Sequence, residues 1–80
     1  VYGILGKMVE AVEGDDEAEV HRLNGEFETA FRPYAGSSDP VAAACDRVRQ
    51  SCVLPYSGFP ASREVCLPLA QQELTALRRA

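Results

Sequence analysis

Leu5, Met8, Val9 and Val12 recur at the three- and four-residue spacing of one helix face, with Ile4 alongside, so the apolar pattern predicts a helix over Tyr2 to Glu13. Gly14 is placed to end it, because glycine accepts the left-handed conformation that commonly follows a helix. Asp16-Glu17-Ala18-Glu19 then matches a capping box, in which an acceptor side chain and a glutamate three residues on satisfy free amides at a helix start. A second helix carries Val20, Leu23, Phe27, Ala30 and Phe31 at helical spacing until Pro33 stops it. Asp39 followed by Pro40 is a further start signal, an N-cap acceptor with proline at the first helical position, and predicts a third helix to about Cys52.

The inner face of that third helix reads as Val41, Ala44, Cys45, Val48 and Cys52, all small enough for Phe27 and Phe31 to pack closely against it. Leu67, Ala70, Leu74 and Leu77 give the last segment its apolar stripe. Pro68 is expected to divide this segment into a short turn at 61–67 and a helix from 68, since an interior proline removes a hydrogen bond and crowds the preceding turn. No stretch alternates with period two, and the glycine and proline clusters fall between helices. The fold class that follows is all-α: a single domain over residues 1–80, built as a small antiparallel four-helix bundle with its last helix interrupted near Pro68. Pro33-Tyr34-Ala35-Gly36 is echoed by Pro55-Tyr56-Ser57-Gly58, a pairing that ordinary turn chemistry explains without an internal duplication.

At 80 residues the core only just offsets the conformational entropy lost on folding, so any added brace matters. Hydrophobic residues at 46% exclude intrinsic disorder, and a net charge of -4 disfavours phosphate neutralisation as a mode of partner binding, so no nucleic acid is expected. The acid is concentrated in Glu10 to Glu19, and Arg78 and Arg79 close the chain, a placement that suits helix starts and helix ends. No apolar run approaches the ~20 residues needed to span a bilayer. The chain begins at Val1 without methionine or a signal-like stretch, which fits either a fragment or a mature protein whose targeting segment was removed.

Three cysteines admit core packing, a disulfide with one left over, or a reactive thiol. Cys45 and Cys52 sit on one helix, roughly 10 Å apart along its axis and beyond disulfide reach. A Cys52–Cys66 bridge closing the loop between the third and fourth helices is the expected pairing, contributing about 3 kcal/mol and implying an oxidising compartment. Buried free thiols in a reducing compartment are the alternative. Redox catalysis is disfavoured because there is no Cys-x-x-Cys. Tyr56-Ser57-Gly58-Phe59-Pro60 resembles a segment of the AhpD-like helical peroxidases, but the paired cysteines and histidine of that family have no counterpart here.

His21, the only histidine, shares a helix face with Glu17, and two ligands make no metal site. The serines at 37, 38, 51, 57 and 62 come without a nucleophile elbow, and no glycine loop suited to phosphate is present. No catalytic residue, metal or cofactor is expected. Tyr34, Tyr56 and Phe59 are the candidate partner-binding residues, because large aromatics in loops are enriched where proteins dock; the competing arrangement has each folded back over the end of the bundle.

Tyr2-Gly3, Ala11-Val12-Glu13-Gly14-Asp15, Val20 and Phe27 resemble the first hairpin of PsbQ-type extrinsic subunits of photosystem II, in particular the PsbQ-prime form of red-lineage algae. One residue is missing at the hinge, and the similarity covers about the first third of the chain. It implies a small four-helix bundle without cofactor, delivered to the thylakoid lumen and bound peripherally to a membrane complex. The three cysteines, the tyrosine-bearing loops and the second half depart from that family. The expected role is therefore a non-catalytic subunit or interaction module whose partners are protein subunits of a larger complex, with a thiol-dependent redox protein as the alternative.

Overall fold

In the computed structural model, which describes residues 2–58 and 62–79, four helices follow one another: α1 (Tyr2–Glu13), α2 (Glu17–Phe31), α3 (Pro40–Val53) and α4 (Arg63–Arg79). Single 3-10 turns, Arg32–Tyr34 and Leu54–Tyr56, extend α2 and α3. There is no strand among the described residues. The helices run up and down. The start of α1, the end of α2 and the start of α3 share one end, and there the Arg78 side chain of α4 reaches Gly6 of α1. At the other end Arg63, opening α4, bonds the carbonyls that close α1.

One core fills the space between the four helices. Leu5, Met8 and Val12 of α1, Val20, Leu23 and Phe27 of α2, Val48 and Cys52 of α3, and Ala70 and Leu74 of α4 are buried there. The residues are large on α1 and α2 and small on α3, so the Phe27 ring enters between helices that approach closely. Two inner-face expectations do not hold, one of them by a shift of one position. Val41 is exposed while Ala42 is buried, and Ala30 faces solvent.

The hinge between α1 and α2 closes differently from the expectation placed on Gly14. Gly14 N still donates to Glu10 O in helical register, and the left-handed residue is Asp15, at φ 53°. Asp15 N bonds Val12 O at 3.0 Å and Asp16 N bonds Ala11 O at 2.8 Å, the double closure of a Schellman motif with aspartate at its left-handed position. Asp16 then caps α2 by accepting from Glu19 N at 3.2 Å. Its own amide is already committed to Ala11, so only half of the capping box forms, and the Glu19 carboxylate pairs with Arg22 instead.

The expected interruption at Pro68 does not occur: α4 runs unbroken from Arg63. Pro68 is the sixth residue of that helix, so the single acceptor it leaves unmatched is the carbonyl of Glu64, in the exposed first turn where water can replace the missing bond. Pro68 itself faces solvent, and Leu67, Ala70, Leu74 and Leu77 keep their register toward the core.

Candidate docking site

The two Pro-Tyr-x-Gly segments fold alike and then diverge. Each makes a 3-10 turn with proline in its first residues, closed by Ala35 N to Arg32 O or by Ser57 N to Leu54 O, each at 3.2 Å. Each continues into a glycine in the left-handed region, Gly36 at φ 80° and Gly58 at φ 83°. The two turns stand at opposite ends of the bundle and part at the residue after each tyrosine, Ala35 being extended at φ −61°, ψ 130° and Ser57 lying at φ −106°, ψ 10°.

Tyr56 is folded back. Its ring packs against the core, and its hydroxyl donates to Asp15 Oδ1 at 2.8 Å. Arg63 Nε lies 3.8 Å from the same carboxylate oxygen, while its Nη1 donates to Val12 O at 3.1 Å and Glu13 O at 3.2 Å. Burial, reinforced by the bond to the Asp15 carboxylate, pushes the Tyr56 hydroxyl up to about 12. In this arrangement Tyr56 ties the α1–α2 hinge to the end of α3, and Arg63 ties it to the start of α4. Phe59, the third aromatic candidate, lies outside the described residues.

Tyr34 is free of such a tie. It is 53% exposed and tilted against Phe31 at 6.0 Å between ring centroids, and Phe31 in turn stacks on the core ring of Phe27 at 4.8 Å. Two further large side chains on the same end are open to solvent, Tyr2 at 41% and Val41 at 42%. These residues converge with Phe31, Asp39, Ala42 and Cys45 on one crevice of about 170 Å3. Its floor is the small-residue face of α3, and its walls are the first residue of α1 in the described chain and the aromatic run that leaves α2. Asp39 turns its carboxylate back onto α3, accepting from Val41 N at 2.9 Å. The crevice is thus apolar in the middle, with a single carboxylate at its edge already engaged in capping.

The sequence pointed to Tyr34 but missed Tyr2 and Val41. Both occupy positions that helical periodicity assigns to a helix face, and only the packing of the helix ends reveals that the described residues leave them open to solvent. The remaining candidates behave as follows. His21 is exposed on α2 with Nε2 at 3.5 Å from Glu17 Oε2. Among the described residues no group of three histidine, cysteine or acidic side chains is arranged to hold a metal ion, and no helix is long and apolar enough to cross a membrane.

Comparison with protein-family models, curated proteins and solved structures finds no match to this chain.

Cys45, Cys52 and Cys66 are free, buried thiols in this structure. Cys52 fills the core as a small apolar side chain would. Burial, with a smaller contribution from the neighbouring Cys66, pushes its thiol up to about 12, and burial also raises Cys45. At neutral pH both are held as thiols, the unreactive form.

Proposed function

We propose that this chain is a non-catalytic helical subunit or interaction module that docks peripherally on a larger protein assembly through its aromatic end. The observation that carries this reading is the convergence of Tyr2, Tyr34 and Val41, each about half exposed, on one crevice above the stacked Phe31 and Phe27 rings. Exposed apolar groups on a rigid scaffold gain on being covered, on the order of 1 kcal/mol for each large side chain, and aromatics that are already oriented lose little entropy when they dock. The resemblance of residues 2–27 to PsbQ-type subunits supports a peripheral place on a photosystem-type membrane complex, in an oxidising lumenal compartment. In such a compartment Cys52 and Cys66, buried on neighbouring helices, are the pair we expect to be joined, leaving Cys45 alone.

The test is retention of a partner at fixed stoichiometry. Tagged wild-type protein should carry a defined partner through size-exclusion chromatography, and the surface variants Tyr34→Ser and Val41→Ser should lose it while keeping their helical circular dichroism and melting temperature. A wild-type protein that runs alone overturns the reading. The thiol-dependent alternative requires an exposed, ionised cysteine, whereas the raised Cys45 and Cys52 favour slow labelling. Alkylation of native protein at neutral pH as fast as of unfolded protein would establish that alternative instead.

A further inference from the structure

Six large apolar side chains stand open to solvent among the described residues, and the crevice accounts for three of them. Two of the others, Val65 at 61% and Leu69 at 50%, sit four residues apart on the outer face of α4. With Gln72, Ala76 and Arg79 they repeat at intervals of four and three residues, the spacing along which one helix packs on another, and all five are exposed. This seam carries no charge from Val65 to Leu77. Glu73, the one charged residue in that stretch, turns aside to pair with Arg47 of α3 at 3.3 Å. The outer face of α2 is different, being laced by Arg22 with Glu19 and Glu26. Charge meets the α4 seam at its two ends, as Glu64 at one and Arg79 at the other. Neither makes an ion pair among the described residues.

We infer that a second copy of this chain packs on this face, α4 against α4 in antiparallel orientation. The order of residues along the seam specifies that occupant. When two such helices are laid antiparallel about Gln72, position 69 of each comes opposite 76 of the other, and 64 opposite 79. Leu69 of one copy then enters the hollow lined by Gln72, Thr75, Ala76 and Arg79 of the other, where the small alanine leaves room for it. Each Glu64 carboxylate comes beside the other copy's Arg79 guanidinium, and the twofold symmetry makes that contact twice. A parallel pair would instead set carboxylate on carboxylate and guanidinium on guanidinium. Antiparallel packing also opposes the two helix dipoles. The contact uses no residue of the crevice, so it stands apart from the docking reading above.

A single helix pair of this length buries less than the ~1,200 Å2 at which standard interfaces begin, so the dimer should dissociate in roughly the micromolar to millimolar range. Sedimentation equilibrium of the full chain, with its cysteines reduced, should show monomer and dimer exchanging across that range. Leu69→Glu should abolish the dimer while the dilute protein keeps its helical circular dichroism and melting temperature, and Tyr34→Ser should leave it intact. Glu64→Arg and Arg79→Glu, each alone, should weaken association about tenfold, because each makes both end contacts repulsive. Mixed in equal amounts, those two variants should associate as the wild type does, since each then meets opposite charge at both ends. A chain that stays monomeric to about 1 mM overturns the inference. So does a dimer indifferent to Leu69→Glu, or one whose two charge variants show no preference for each other. Binding of the monomer to phosphatidylcholine vesicles that Leu69→Glu removes, without self-association, also overturns it.

Discussion

The Tyr56 hydroxyl donates a hydrogen bond of 2.8 Å to the carboxylate of Asp15, a residue 41 positions earlier that holds the left-handed conformation closing α1. A left-handed backbone costs a non-glycine residue roughly 1–2 kcal/mol, and it persists where the surroundings over-determine it. Here the Schellman bonds, Tyr56 and Arg63 all act on the same residue. The contact joins the two hairpins of the bundle at the end opposite the crevice.

Tyr56→Phe removes that bond and keeps the ring that packs on the core. The expected outcome is a loss of about 0.5–1.5 kcal/mol in denaturant titration, with partner retention unchanged. Loss of the partner with stability intact would return Tyr56 to the docking surface.

With its cysteines reduced, as in this structure, the protein should lose stability at alkaline pH through Tyr56 and Cys52. Each has its folded value raised, to about 12, above the ordinary 10 and 9, because burial disfavours the charged form. A raised value means that the stabilising contribution is complete below the ordinary value and lost as pH climbs through the folded one. The tyrosine contribution should thus fade between about pH 10 and 12 and the thiol contribution between about 9 and 12. Melting temperatures measured from pH 8 to 12 should fall across that window, and the fall should be shallower, from a lower starting point, in Tyr56→Phe.

Asp39→Ala should act on stability and on the crevice together. It deletes the acceptor for Val41 N at the start of α3, which costs about 0.5–2 kcal/mol, and it frees the turn that positions Val41. Thermal unfolding gives the first effect. Amide chemical shifts confined to Tyr34, Val41 and their neighbours give the second. Asp39→Asn, which retains a capping acceptor, should restore most of both.

Pro68→Ala should stabilise the protein. The proline leaves the Glu64 carbonyl unmatched in α4, and alanine restores that bond and the better helix propensity. The gain should be about 1–3 kcal/mol, and the melting temperature should rise by about 4–8 °C for each kcal/mol in a domain of this size. An unchanged or lowered melting temperature would show that the solvated first turn already compensates the proline in full.

Most of the secondary structure was legible in the chain because its determinants are local. The apolar spacing of Leu5 to Val12 set the limits of α1, and Asp39-Pro40 opened α3 where the capping bond to Val41 is found. Pro68 was misread because the cost of a proline depends on its depth in a helix, and that depth depends on where α4 begins. Gly14 was misread because the neighbouring Asp15 is held in the strained position by side chains from elsewhere.

The all-helical class, the capped starts of α2 and α3 and the twin Pro-Tyr-x-Gly turns were legible in the chain itself, since they follow from the periodicity and capping chemistry of residues close together along it. Which tyrosine remains available depends on packing across the bundle. The two turns share a 3-10 turn and a left-handed glycine, yet Tyr56 meets Asp15 across the bundle while Tyr34 tilts against Phe31 and stays half exposed. Packing also brings Tyr2 and Val41 together with Tyr34 around one crevice. Such juxtapositions arise from the order in which helix ends meet, and no local pattern in the chain encodes them.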